Sequence, residues 1–199
     1  MDPITQQQAL ATAGAAAGAP LYVDDVFSTT LYKSTDSAIQ IENGLDLDGA
    51  GGLTWHKIRT NYTGHHYLFD SERPFNRPLR TNSSDGEVQN TDAGITSFNS
   101  DGYTISADSA DDINPSFAEN FVSWAFRKAK GFFDIVTYTG NGSYGHDISH
   151  NLGSVPGSIW IKRLDTTSHW TVYHRGIDSS APENYKIYLE ETGARIDND

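Results

Sequence analysis

The sequence predicts a mainly β fold, a sandwich or jelly roll used in tandem, and three observations predict it. Asp, Asn, Ser, Thr and Gly are abundant beside 10 Tyr, 9 Phe and 4 Trp, a mixture of turn and strand formers. Many short apolar runs are separated by turn signals at short intervals. One run also returns. Gly51-Gly52-Leu53-Thr54-Trp55-His56-Lys57-Ile58-Arg59 comes back as Gly157-Ser158-Ile159-Trp160-Ile161-Lys162-Arg163, with 160 − 55 = 105 positions between the Trp residues. A repeat at that distance is a domain-sized duplication.

The duplication extends beyond that strand. Thr30-Leu31-Tyr32 is answered by Val136-Thr137-Tyr138, and His65-His66-Tyr67-Leu68-Phe69-Asp70 by His169-Trp170-Thr171-Val172-Tyr173-His174. The stretch from Arg80 to Lys128 has little to match it near the C-terminus. The expected organisation is an N-terminal arm over 1–20, a first β unit over 21–130 and an incomplete second unit over 131–199.

The elements follow in order. Asp2-Pro3 supplies an N-cap and a first-turn Pro for a short helix through Gln6-Gln7-Gln8-Ala9-Leu10, which Pro20 ends. Gly14 and Gly18 give it a small-residue surface that another backbone could approach. A fraying terminus is the competing reading. Strands are expected over 27–33, 38–42, 52–59 and 65–70, with Asn43-Gly44 as a hairpin turn. Residues 71–94 read as loops around a short strand. Ile95–Phe98 and Tyr103–Ile105 flank a tight turn at Asn99-Ser100-Asp101-Gly102. Phe121–Arg127 alternates in period two, and Val122, Trp124 and Phe126 are the face expected in the core. Lys128–Gly131 is too short a linker to act as a tether. A strand over Phe132–Tyr138 is expected to open the second unit.

Composition narrows the function. The net charge of −12 argues against nucleic acid or an anionic membrane as main partner, since both call for clustered Lys and Arg. With no Cys there is no disulfide scaffold, thiolate metal site or Cys nucleophile. No run approaches the ~20 apolar residues of a membrane span.

Candidate sites are few. His146 and His150 would lie ~13 Å apart on a strand, too far for one metal. Asp46-Leu47-Asp48-Gly49 lacks the ligand ladder of a calcium loop and reads as an Asx-type turn. No motif for a nucleophile elbow, zinc protease, phosphate loop or dinucleotide site is present, so no catalytic residue, metal ligand or cofactor is assigned. Tyr62, Tyr67, Trp170 and Tyr173 are candidate rings for stacking on sugars, with core packing as the alternative for Tyr67 and Trp170.

Several stretches carry a resemblance: Tyr22-Val23-Asp24-Asp25-Val26-Phe27-Ser28-Thr29, Thr96–Gly102, Val122–Ala129, Gly131–Gly142 and Ile148–Gly157. Together with the Gly51–Trp55 run they resemble a tandem-repeat family of virion structural proteins of marine bacteriophages, cyanophages above all, often labelled tail fibre proteins. The resemblance covers about residues 20–176. It implies concanavalin- or laminin-G-like jelly rolls and a non-enzymatic particle component made in the host cytoplasm. It further implies attachment to other tail proteins (adaptor, nozzle or tube) through the N-terminal segment, and a homotrimer. Pro3, Gln7, Leu10, Gly14 and Gly18 are then the candidate docking residues. The rival expectation is a lectin-like module that recognises a host surface glycan.

Overall fold

Alternation of apolar and polar residues generates antiparallel strands throughout the computed structural model, which describes residues 20–60, 63–88, 94–107 and 113–197. The helix expected over 1–20, and with it Pro3, Gln7, Leu10, Gly14 and Gly18, lies outside the described residues. The fold is mainly β; the helical residues described are two single 3₁₀ turns, Val23–Asp25 and Pro182–Asn184.

The first unit is a sandwich. One sheet runs in the order β1 (Phe27–Lys33), β8 (Asn120–Arg127), β3 (Gly52–Ile58), β4 (His66–Asp70) and β5 (Leu79–Arg80). The other runs β2 (Ile39–Glu42), β7 (Gly102–Ile105) and β6 (Ile95–Asn99). Period two decides which side chains meet between them. Along β3, Thr54, His56 and Ile58 are buried while Leu53, Trp55 and Lys57 point away and are half-buried. Tyr32, Tyr67, Phe69, Phe121 and Ala125 join Ile41, Tyr103, Ile105 and Phe98 of the second sheet in one core. Each large side chain so buried contributes about 1.5–3 kcal/mol of transfer free energy.

A third sheet, β9 (Ser158–Ile161), β10 (Thr171–His174), β11 (Tyr185–Tyr188) and β12 (Ile196–Asp197), runs in the order β12-β11-β10-β9. It packs on the outer face of the five-stranded sheet. Trp170 is buried against Leu68 and Leu79, with Leu53, Leu164 and Leu189 around them. The Trp55 and Trp160 rings meet edge-on, with centroids 5.8 Å apart. The duplication read from the sequence is visible in the pairing. Trp55 pairs with Leu68 across β3–β4, and Trp160 with Val172 across β9–β10. Leu68 pairs with Leu79 across β4–β5, and Val172 with Ile187 across β10–β11. The third sheet thus repeats β3-β4-β5.

Three expectations are corrected. The face of β8 in the sandwich core is Phe121, Ser123 and Ala125, each about 1% exposed; Val122, Trp124 and Phe126 lie on the opposite face, where Val122 is buried and the other two are half-buried. Both faces of β8 are covered to some degree, so alternation located the faces but not their partners. Asn43-Gly44 does not close a hairpin, because β2 pairs with β7 and the Asn43 and Gly44 amides donate to Asp101 O. Residues 134–157 contain no strand, and Val136 and Tyr138 are exposed. The reason is pairing. In the first unit the equivalent strand, β1, bonds only to β8, and no counterpart of β8 is present beside β9 among the described residues.

Candidate functional site

Of the candidate sugar-stacking rings, Tyr62 lies outside the described residues. Tyr67 points into the sandwich core and is 5% exposed, with the Arg80 guanidinium 5.7 Å from its ring centre. Trp170 is 4% exposed and its indole N–H donates to Arg80 O at 2.9 Å. Neither ring offers a face to a ligand, because each fills an apolar layer. Tyr173 is half-buried on β10 and is the described candidate that retains solvent contact. The structure does not bring these residues together as a site.

What the structure does assemble is an interface between two β layers. Its apolar centre is the Leu68–Leu79–Trp170 cluster. Its rim is main chain. Ser168 N donates to Ser84 O at 2.8 Å, Glu87 N to Leu164 O at 2.8 Å, and Lys162 Nζ to Ser84 O at 3.1 Å and Ser168 O at 2.6 Å. Partial burial there holds the Lys162 ammonium below the usual lysine range, against the opposing pull of Glu190 and Asp85. The loop that supplies the Ser84 acceptor and the Glu87 donor is itself pinned. Arg73 bridges Asp70 and Glu87 at 2.7 and 3.0 Å, and Arg77 meets Glu87 at 2.9 Å. The Arg73 and Asp70 side chains are almost fully enclosed. Removing one partner of such a pair would leave the other charge buried and uncompensated.

Around this interface lie exposed apolar groups. All four residues of β9 are exposed, including Ile159, Trp160 and Ile161, and β9 is the edge of its sheet. On the opposite side of the hairpin, His169 stacks on Tyr188 with ring centres 4.0 Å apart and its Nδ1 lies 2.8 Å from Glu190 and 3.3 Å from Glu191. The sequence reveals the β9 strand but not its exposure.

The polar groups of the sandwich core are sealed from ligands. The Tyr32 hydroxyl donates to Ile113 O at 2.8 Å and lies 3.1 Å from His56 Nδ1, which therefore carries the ring proton. The Tyr103 hydroxyl donates to Ser123 Oγ at 2.5 Å. Burial lowers the His56 pKa to about 3, so the ring is neutral near pH 7. A shallow cleft of about 360 Å³ is lined by Lys128, Phe133, Asp134 and Asn151. Its Lys128 is already committed to Glu72 at 2.6 Å and Asp134 at 3.4 Å. No group of three or more His, Cys, Asp or Glu suited to a metal ion occurs among the described residues. Asp46 Oδ1 accepts from Gly49 N at 2.8 Å, the turn expected there.

A family model described as a domain of unknown function, DUF7483, matches residues 23–199. No curated protein matches the chain. No solved structure matches it.

Proposed function

The chain belongs to the DUF7483 family; on its sequence resemblance to virion proteins we propose that it is a non-enzymatic structural protein of a bacteriophage particle, the virion-attaching part of a tail fibre. The observation that carries this reading is the contact between repeat-related strands, Trp55 on Trp160, backed by the Leu68–Leu79–Trp170 cluster. Two β layers locked face to face make a stiff unit of the sort a shaft or collar needs. The linker supports the same reading. It is turned back at the Ala129–Phe133 bridge, and Phe126 packs against both Phe132 and Phe133. Glycan recognition, the rival, retains only Tyr173 of its three described rings.

In this reading residues 1–20 dock on another tail protein, and copies of the chain associate as a trimer. The test is a reconstruction of the purified virion at side-chain resolution. The expected result is ordered density for Pro3–Gly18 against a tail protein, with the β layers projecting outward. Absence of the chain from purified particles would sink the proposal, as would a particle in which the β layers themselves form the docking contact.

A further inference from the structure

We propose that β1 pairs edge to edge with β1 of a second copy of this chain, antiparallel about a two-fold axis, so that the two five-stranded sheets run on as one. β1 is an outer strand of its sheet. It bonds to β8 on one side, and no strand lies on the other side among the described residues. Both strands belong to the first unit, so this edge owes nothing to the third sheet.

Main-chain phase shows what the edge presents. Val26 O accepts from Arg127 N at 2.8 Å and Ser34 N donates to Glu119 O at 2.9 Å, with an unbroken register between them. The even-numbered residues of β1 therefore bond inward to β8, while Phe27, Thr29, Leu31 and Lys33 turn their N–H and C=O outward. The side chains of these residues form the outer face, where Thr29 and Lys33 are exposed and Leu31 is 62% exposed. Edges are ordinarily blunted by shortness, bulges, Pro or charge. The other edges of the sandwich are blunted in this way. β5 has two residues, β2 has four with Glu42 at its end, and β6 has an irregular register between Ile95 and Ser97. β1 has seven residues in regular register, with no Pro and no charge before Lys33.

Self-complementarity identifies the occupant. Two copies can bond only in registers that set odd-numbered residues against odd-numbered ones. The register centred on Thr29 sets Leu31 of each copy against Phe27 of the other, and Lys33 of each beside Asp25 of the other. Phe27 is half-buried against Phe126, with ring centres 5.0 Å apart, so Leu31 would extend an aromatic patch already in place. Lys33 and Asp25 are both exposed and put opposite charges at the two ends of the strand. An exposed pair of this kind adds little affinity but selects the register. Phe27, Thr29 and Leu31 of the two copies would supply up to about six main-chain bonds. This inference goes beyond the virion reading and does not rest on it. A trimer carries three β1 edges, and the contact would then pair one trimer with the next.

The test is sedimentation equilibrium of the full chain, of mass 21.8 kDa, with residue-resolved amide hydrogen exchange on the same samples. The expected result is an even number of chains, two at the least. Exchange at Thr29 and Leu31 should slow about tenfold or more as concentration rises, with no change at Ser28 and Thr30, which already bond to β8. Leu31→Glu and Lys33→Glu should each weaken the association about tenfold and leave the monomer's melting temperature unchanged, since both side chains are exposed. The mass of one chain at every concentration would overturn the proposal, and so would full association by both variants. A trimer with fast exchange at Thr29 and Leu31 would overturn it and leave the virion reading standing. Slow exchange at those amides in a monomer would assign the edge to another segment of the same chain and overturn it too.

Discussion

His56 enters the sandwich core as a neutral ring because its strand alternates. It lies in phase with Thr54 and Ile58 and out of phase with Leu53, Trp55 and Lys57. Aromatic rings of Tyr32, Phe69 and Tyr103 surround it, and no hydrogen-bond partner reaches its Nε2 among the described residues. A proton there would have to be buried without compensation, which is why burial takes the pKa from 6.5 to about 3. The unfolded chain binds that proton below pH 6.5 and the folded chain does not until about pH 3. The stability tied to neutral His56 is therefore full above 6.5 and is lost as pH falls through that window, at ~1.4 kcal/mol per pH unit. The expected outcome is that the chain is about 2 kcal/mol less stable to urea at pH 5 than at pH 7.5, beyond whatever change a His56→Leu chain shows. An equal change in both chains would mean that His56 is not the group responsible. His66 adds to the same trend, since burial and then Lys57 and His65 lower its pKa as well. The sequence alone shows a His without a partner at ligand spacing. Its setting emerges only when the second sheet brings Tyr103 across the core.

At the scale of elements, the decisive contact is that of Trp170, just before β10, with Leu68 of β4 and Leu79 of β5. Trp170 contributes both an apolar ring and a donor, and Arg80 O receives its N–H. Trp170→Phe keeps most of the ring and leaves that buried carbonyl with one fewer partner. A loss of about 1–2 kcal/mol in chemical denaturation is expected. Trp170→Ala also empties the cluster with Leu68 and Leu79, and about 3–5 kcal/mol is expected. Equal losses in the two variants would show that the hydrogen bond, not the packing, holds the layer. The strands of the first unit were legible from alternation and turns, as at Asn99–Gly102, where β6 and β7 do form a hairpin. Phe132–Tyr138 shows the limit of that reading. Its residues favour a strand, but a strand also needs a neighbour to take its hydrogen bonds.

At the scale of the whole molecule, the outer face of the five-stranded sheet is a core surface. Leu53, Leu68 and Leu79 lie under the third sheet, and Phe126 lies under Phe132 and Phe133. A chain ending at residue 130 would leave that face open to water. It is expected to bind an apolar dye and to self-associate, where the full chain does neither to the same extent. A monomeric, dye-free product with an unchanged melting temperature would show that the layers are independent. The short linker read from the sequence calls for a fixed relation between the two units, and this interface joins them. Sequence spacing gave the length of the linker, but not the 2.8 Å main-chain contacts from Ser168 to Ser84 and from Glu87 to Leu164 that make the join firm.

By itself the sequence determined the mainly β class, most strands of the first unit and the repeat of β3 and β4, because alternation, turn chemistry and self-similarity are local patterns. Only the tertiary structure decided which face of each strand meets which neighbour. A period of two divides side chains into two sets without saying what covers either. It therefore took packing to place Tyr67 and Trp170 in cores, to set Val122, Trp124 and Phe126 on the face of β8 away from the sandwich core, and to leave the four residues of β9 exposed.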